Sequence, residues 1–255
     1  MKNLQRGAAL VALALACGPA IAQSPATSPK PTVVLVHGAF GDTEAWDKVI
    51  KLLQSQGIKV ISASIPMTSL ADDVAATNRA IDRADGPVVL VGHSWGGTVI
   101  TQAGMNTHVH SLVYVAGFAN KPGVGVGDMG KGFPPAPGLS ALKVDTQGYA
   151  AMSQMGFAKY FAPAATPAER ALMYSVQVPI NTKEFGEPVT QAAWQTKPSW
   201  FALTTQDQMI VPAQQEAMAK DIGAHITRIA SDHAAMVSHP REVAKVILEA
   251  VEGTR

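Results

Sequence analysis

Residues 88–97, Val-Val-Leu-Val-Gly-His-Ser-Trp-Gly-Gly, constrain the fold of this chain more than any other segment. The first four are apolar and three of them are β-branched, which is typical of a buried strand. The pattern Gly-x-Ser-x-Gly over 92–96 follows, and then a helix-compatible run over 98–103. Such a tight strand-to-helix turn, a nucleophile elbow, needs glycine where a side chain would collide with neighbouring backbone. We therefore predict that Ser94 is a nucleophile, with an ordinary glycine-rich βαβ turn as the alternative.

Strand and helix patterns alternate along most of the chain. Helical spacing is found at 42–56, 69–83, 95–105, 213–221 and 240–251. Strands are predicted at 32–36, 58–65, 88–91, 109–116, 200–204 and 225–229. This alternation predicts an α/β fold with about six mostly parallel strands flanked by helices. Residues 120–197 break the alternation and are too long for a plain loop, so we expect a helical lid inserted after the strand that ends near Ala116.

The first 22 residues have the pattern of a signal peptide. Lys2 and Arg6 precede an apolar run at 8–16, and Ala20-Ile21-Ala22 resembles a cleavage site. We therefore predict export to the periplasm or the medium, a flexible segment at 23–31 and a single domain at 32–255. The single cysteine, Cys17, lies inside the signal, so the mature chain would have no disulfide; lipoprotein processing at Cys17 is a minor alternative.

Charge and motif content exclude several classes of partner. The chain has 20 basic and 19 acidic residues and no basic stripe, so nucleic acid is not an expected partner. No second apolar segment is long enough to cross a membrane. No cofactor and no metal are expected, because neither metal-ligand spacing nor a dinucleotide-binding glycine pattern is present. The sequence leaves the oligomeric state open.

Two strand ends after the insertion carry groups that could activate a serine. The strand at 200–204 runs into Asp207, and the strand at 225–229 runs into His233. Carboxyl ends of parallel strands meet at one edge of a sheet, where catalytic groups gather. We predict that His233 is the general base for Ser94 and that Asp207 orients its imidazole.

Other residues could fill these two roles. His239 is the rival base, although His239-Pro240 has the pattern of a helix start. Asp232 and Asp128 are the rival carboxylates. Asp232 is adjacent to His233 in sequence and therefore poorly placed to bond its ring.

A developing oxyanion would need two backbone donors. One is predicted to be the N–H of Trp95, directly after the nucleophile. The other should come from the loop after the first strand, with Ala39 as the expected donor and Phe40 as the alternative. Gly38 would allow close backbone approach, and His37 is interpreted as a structural hydrogen bonder.

A substrate pocket should form between the elbow and the lid. Apolar and methionine-rich linings suit acyl or aryl groups, although many such residues would simply hold the lid together. The lid carries no Arg or Lys cluster, so a strongly anionic substrate is not expected. The predicted lining residues are Phe40, His93, Phe118, Met152, Met155, Phe157 and Trp194.

Four segments together resemble the α/β-hydrolase superfamily. They are Val-His-Gly-Ala-Phe, Gly-His-Ser-Trp-Gly-Gly, Asp207 followed by Ile-Val-Pro, and Ser-Asp-His-Ala-Ala-Met-Val-Ser-His-Pro. The resemblance covers 31–252 and is nearest to small esterases, a branch with plant methyl-ester esterases, hydroxynitrile lyases and bacterial carboxylesterases. It implies an α/β-hydrolase fold without a leading antiparallel hairpin. Gly38 and Ala234 stand where the lyases carry threonine and lysine, which disfavours lyase activity.

The sequence therefore predicts an exported serine hydrolase that cleaves carboxylic esters through an acyl-enzyme. Its substrate would be a small molecule, a small to medium apolar or aryl ester. A cofactor-free perhydrolase or a lactonase on the same triad is the alternative. A ligand-binding receptor that keeps the hydrolase fold is a further alternative from another functional class.

Overall fold

A six-stranded sheet runs through the structure, a computed structural model that describes residues 30–254. The predicted signal peptide, Cys17 and residues 23–29 of the predicted flexible segment lie outside the described residues. No helix within residues 30–254 is long and apolar enough to cross a membrane.

The first half of the sheet follows the predicted alternation closely. The helices that connect the strands of this half are α1 (Asp47–Ser55), α2 (Leu70–Ile81) and α3 (Trp95–Ala103). Its strands are β1 (Thr32–Val36), β2 (Lys59–Ala63), β3 (Val88–His93) and β4 (Val109–Val115). Side chains in β1 and β3 are buried throughout, as their continuous apolar runs require.

Side-chain caps determine where α2 and the turn before α1 begin. The Ser69 hydroxyl accepts a hydrogen bond from the N–H of Asp72 at 3.0 Å and starts α2. The Asp42 carboxylate accepts one from the N–H of Glu44 at 2.8 Å and starts a 3₁₀ turn, Thr43–Trp46. The single helix predicted at 42–56 is therefore a 3₁₀ turn followed by α1, because the early cap tightens the first turn.

The insertion contains a small antiparallel sheet as well as helices. Short helices α4 (Val126–Met129) and α5 (Gln154–Gly156) are followed by a π-helical turn, Phe157–Phe161, and by α6 (Pro167–Val176). These short helical segments alternate with three strands, β5 (Leu142–Val144), β6 (Tyr149–Met152) and β7 (Ile180–Asn181). The strands form one sheet, in which their order is β5-β6-β7. Single 3₁₀ turns lie at Pro137–Ala141, Thr182–Gly186 and Ala193–Gln195.

The helical lid predicted for 120–197 therefore needs one correction, since it contains this small sheet beside its helices. The cause is a turn that the sequence analysis did not recognise. The Asp145 carboxylate accepts hydrogen bonds from the N–H groups of Gln147 and Tyr149, and Gly148 adopts φ +86°. This turn brings β5 and β6 together as a hairpin.

The second half of the sheet completes the alternation. It comprises β8 (Ser199–Thr204), α7 (Pro212–Asp221), β9 (His225–Ile229), α8 (Ala235–Ser238) and α9 (Pro240–Gly253). The strand order is β2-β1-β3-β4-β8-β9, and every adjacent pair in this sheet is parallel. The predicted α/β fold with six parallel strands is confirmed. The carboxyl ends of β3, β8 and β9 consequently lie along one edge, beneath the insertion.

Candidate active site

The turn after β3 holds Ser94 in a strained backbone conformation. Its φ is +51° and its ψ is −120°, a combination that is rare for residues other than glycine. A Cβ on Gly96 would lie 2.7 Å from the carbonyl oxygens of Val36 and His37, and one on Gly92 would overlap the Gly96 carbonyl. Only glycine fits at 92 and 96, so the backbone packing around this turn imposes the elbow geometry.

The ends of β8 and β9 bring Asp207 and His233 together. The Nδ1 atom of His233 lies 2.8 Å from Oδ2 of Asp207, and both side chains are buried. A carboxylate can only accept, so His233 carries its hydrogen on Nδ1 and leaves Nε2 as a lone-pair base.

The Asp207 carboxylate is held by four further donors. Its Oδ1 accepts from the N–H groups of Met209 (2.7 Å) and Ile210 (2.9 Å). Its Oδ2 accepts from the hydroxyl of Thr204 and the amide of Gln215, both at 2.8 Å. These contacts fix the orientation of Asp207 and therefore the orientation of the imidazole that it bonds.

The rival residues have other partners. His239 bonds the hydroxyl of Ser238, directly before α9. Asp232 accepts from the N–H of Ala164 in the lid at 2.7 Å, and Asp128 forms an exposed ion pair with Lys131. None of these three side chains forms a hydrogen bond with the His233 ring, as far as residues 30–254 show.

Ser94 and His233 line one cavity of about 250 Å³ beneath the insertion. Within the described residues no hydrogen bond joins the Ser94 hydroxyl to His233, and the two side chains share the cavity wall instead. Apart from Ser94, His233 and Gln214, the lining residues are apolar or glycine. They are Ala39, Phe40, Trp95, Phe118, Val126, Gly127, Gly130, Pro134, Pro135, Ala136, Leu139, Leu142, Phe161, Phe185, Met209 and Ile210.

The predicted oxyanion donors lie at the same cavity. Ala39, Phe40 and Trp95 all line it, and none of their backbone N–H groups donates to another of residues 30–254. A Cβ on Gly38 would lie 2.7 Å from Cβ of Ser94, so glycine lets this loop approach the serine closely. The geometry leaves Ala39 and Phe40 both available as the second donor.

Two further histidines are buried beside this site. His93 Nε2 lies 2.9 Å from the carbonyl oxygen of His233 and donates to it. Burial, and then the neighbouring His233, lowers the pKa of His93 well below its usual value. His37 accepts from the N–H of Ile65 and donates to the carbonyl of Gly38, and burial lowers its pKa too. Both are neutral groups that hold backbone in place.

Only part of the predicted pocket lining lies at this cavity. Phe40 and Phe118 line the cavity, whereas His93 lies behind it, under His233. The other four predicted residues do not line the cavity: Met152, Met155, Phe157 and Trp194.

These four residues serve the lid itself. Met152 and Phe157 are buried inside it, and Met155 is 67% exposed. The Trp194 indole donates to the carbonyl of Asn120 at 2.9 Å. The lid side chains that do reach the cavity come from other segments, chiefly 134–142. Apolar periodicity alone does not distinguish which face of a short lid element points inward.

A pair of buried carboxyl groups behind Trp95 was missed by the sequence analysis. Asp73 on α2 accepts from the indole N–H of Trp95 and from the N–H of Met67, both at 2.8 Å. Glu184 in the lid is fully buried beside it, and neither of its carboxyl oxygens has a hydrogen-bond partner. The adjacent Phe185 packs edge-on against the Trp95 ring, with centroids 6.0 Å apart. Neither carboxyl lies in a recognisable motif.

The two carboxyl groups differ in protonation. Burial, and the nearby carboxylate of Asp73, raises the pKa of Glu184 to about 9. Burial also raises the pKa of Asp73, while its bonds from Trp95 and Met67 oppose the shift. Glu184 is therefore the neutral member near pH 7, because its burial beside the Asp73 carboxylate opposes a charge, whereas Trp95 and Met67 donate hydrogen bonds that stabilise the charge of Asp73.

Replacement of Glu184 by glutamine is expected to flatten the dependence of stability on pH. A carboxyl with a raised folded pKa contributes stability that is complete below its ordinary pKa and is lost as pH rises through the folded value. Glu184 therefore loses its contribution to stability as the pH rises from 4.5 to about 9. The loss is at most about 1.4 kcal/mol per pH unit. Between about pH 5 and about pH 8.5, Tm should fall more in the parent protein than in Glu184→Gln, by about 3 °C or more.

Scanning calorimetry at both pH values measures this difference. Glu252→Gln, at an exposed position, is the matched control and should follow the parent protein. Equal pH dependence of Glu184→Gln and the parent protein would show that Glu184 stays charged in the folded state.

Comparison with known proteins decides the family. The family model described as "Alpha/beta hydrolase family" matches residues 33–246. This chain belongs to the alpha/beta hydrolase family. A protein named probable hydrolase R7, from Phoma sp., is 26% identical over 86% of this chain and 98% of its own length. A pyrethroid hydrolase from Sphingobium wenxiniae is 24% identical over 85% of this chain and 86% of its own length.

Solved structures share the fold of this hydrolase. A pyrethroid hydrolase from Sphingobium faniae superimposes with a TM-score of 0.76 at 20% identity, over 87% of this chain and 97% of its own. Polyneuridine aldehyde esterase gives a TM-score of 0.76 at 18% identity, over 87% and 99% of the two chains. These structures show the α/β-hydrolase fold that the four sequence segments predicted.

Proposed function

We propose that this alpha/beta hydrolase is a serine esterase that cleaves neutral, apolar or aryl carboxylic esters. The observation that carries the proposal is the 2.8 Å bond between His233 and Asp207, at the wall of the cavity that also holds Ser94. That bond leaves Nε2 of His233 free to act as a base, and His233 and Ser94 line the same cavity. The names of the relatives, hydrolases and an esterase, agree with this chemistry.

The reaction follows from these groups in two steps. In the first, His233 Nε2 takes the hydroxyl proton as Ser94 Oγ attacks the ester carbonyl carbon. The N–H groups of Trp95 and of Ala39 or Phe40 hold the oxyanion of the tetrahedral intermediate. The intermediate collapses to an acyl-serine, and the alkoxide leaves with the proton from His233.

In the second step, water replaces the alcohol. His233 takes a proton from the water as its oxygen attacks the acyl carbon, and the acid leaves as Ser94 recovers its proton. Asp207 keeps its charge throughout and stabilises the imidazolium that forms twice in each cycle.

The cavity wall supports the proposed substrate class. No Asp, Glu, Lys or Arg side chain is among the residues that line the cavity within 30–254. An ionised substrate would lose its hydration there without gaining a partner, which is costly, whereas an apolar acyl or aryl group is stabilised by burial.

The test uses residues 23–255 and a panel of p-nitrophenyl esters from acetate to palmitate. An organophosphonate label read by intact mass reports the nucleophile independently of substrate choice. We expect turnover of several esters and a single adduct on Ser94. Lactones and a peracid assay with acetate and peroxide belong to the same panel, because the same triad could serve both reactions. Absence of both label and turnover would contradict the proposal and favour a binding protein with this fold.

Export is a separate part of the proposal. It rests on the pattern of residues 1–22 alone, with its basic start, apolar run and Ala-x-Ala end. N-terminal sequencing of the protein recovered from periplasm and medium of an expressing bacterium should begin at Gln23. An intact Met1 in the cytoplasmic fraction alone would contradict it.

A further inference from the structure

The cavity has one neutral polar side chain that the proposed mechanism does not use. Gln214 lies in the first turn of α7, lines the cavity and is 6% exposed. Its side-chain amide makes no hydrogen bond with any of residues 30–254. The backbone N–H of Gln214 is already used, since it donates to the carbonyl of Val211 at 2.9 Å.

The neighbouring glutamine provides an internal contrast. Gln215 is fully buried, and its amide nitrogen donates to Oδ2 of Asp207 and to the carbonyl of Ile210, each at 2.8 Å. Successive side chains on a helix point about 100° apart. One glutamine of the pair therefore supports Asp207, and the other is turned to the cavity with its amide unpaired.

An unpaired amide in an apolar wall is costly. A buried amide that lacks a hydrogen-bond partner keeps the full cost of its lost hydration. Water can satisfy Gln214 while the cavity is open, but an apolar group that displaced this water would leave the amide unpaired. A ligand atom that hydrogen-bonds to the amide avoids this penalty.

We infer that Gln214 is a specificity-determining residue that binds a second, neutral polar group on the substrate. The preferred substrate is then an apolar ester with an additional hydroxyl, keto, ether or amide group besides the ester that is cleaved. A charged group is disfavoured, since the cavity offers it no opposite charge. The inference rests on the proposed esterase function and defines its substrate more closely.

The amide offers both hydrogen-bonding roles. Its carbonyl oxygen accepts and its NH₂ group donates, so either a hydroxyl or a keto oxygen can be bound. Methionine at this position is of similar size and offers neither role, so Gln214→Met removes both at once.

The experiment compares matched pairs of esters. p-Nitrophenyl hexanoate is paired with its 5-oxo and 5-hydroxy analogues, and hexyl acetate with 2-butoxyethyl acetate, so that the acyl and alcohol sides are both probed. The ratio of kcat/KM within each pair is measured, because a general change in activity cancels in the ratio. In at least one pair we expect Gln214→Met to reduce the preference for the oxygenated ester by about tenfold.

Two controls make the result decisive. Gln206→Met replaces an exposed glutamine outside the cavity wall and should keep the parent ratios. Binding of the same uncleaved esters to Ser94→Ala, with and without Gln214→Met, is measured by calorimetry. This binding reports on Gln214 even if Ser94 is not the nucleophile, which separates failure of the inference from failure of the proposed function. Unchanged ratios and unchanged Kd values in every pair would overturn the inference.

Discussion

Ser94→Ala is expected to lower kcat on every ester of the panel by about 10⁵-fold or more. The hydroxyl is the atom that forms the acyl bond, and no other residue among those lining the cavity presents a nucleophile beside His233. Removal of the nucleophile leaves only the contributions of the oxyanion donors and of substrate binding. Steady-state kinetics with active-site titration measures the loss, and the phosphonate adduct should disappear with it.

This loss should not reflect unfolding. The Ser94 hydroxyl makes no hydrogen bond within residues 30–254, and alanine experiences the same backbone strain at φ +51° as serine does. Tm should therefore stay within about 2 °C of the parent value. Ser55→Ala, at an exposed position of α1, is the control and should keep full activity. Retention of more than a small fraction of the activity in Ser94→Ala would mean that another group is the nucleophile.

Asp207→Asn is expected to lower kcat by about 10⁴-fold. The asparagine oxygen would remain with the N–H groups of Met209 and Ile210, which now bond Oδ1. Its NH₂ group would then face His233 Nδ1 and would favour the tautomer with hydrogen on Nε2. That tautomer cannot accept the proton of Ser94, so a single-atom change inverts the role of the base.

Asp232→Asn is the matched control for this prediction. Asp232 is also buried and adjacent to His233 in sequence, but it bonds the lid at Ala164 and the backbone of Ala234. Its loss should lower Tm and change kcat by less than about tenfold. If Asp232→Asn were the variant that lost about 10⁴-fold in kcat, the carboxylate assignment would have to be exchanged.

The sequence predicted most of the sheet because its strands are continuous apolar runs. Buried parallel strands need apolar residues on both faces, and these runs are separated by helical spacing in all four intervals outside the insertion. Boundaries were less accurate where local hydrogen bonds decided them. The caps at Asp42 and Ser69 shifted the starts of two helices, and β3 extends two residues beyond the predicted 88–91.

The insertion was predicted least well. Its strands have two to four residues, too few for a period to be recognised against a helical alternative. The Asp145 and Gly148 turn was the available signal for the hairpin. The residues that line the cavity could not be predicted for the same reason. The packing of these short elements alone brings four of them to the cavity, namely Leu139, Leu142, Phe161 and Phe185.

The sequence by itself determined the sheet, the elbow and the chain order of Ser94, Asp207 and His233. Each of these depends on local backbone geometry or on the fact that parallel strands end at one edge. Only the tertiary structure decided which polar groups are left without partners. The unpaired amide of Gln214 and the neutral carboxyl of Glu184 depend on what distant segments place around them. Burial and hydrogen-bond satisfaction are properties of the packed molecule, so no pattern along the chain could have revealed either residue.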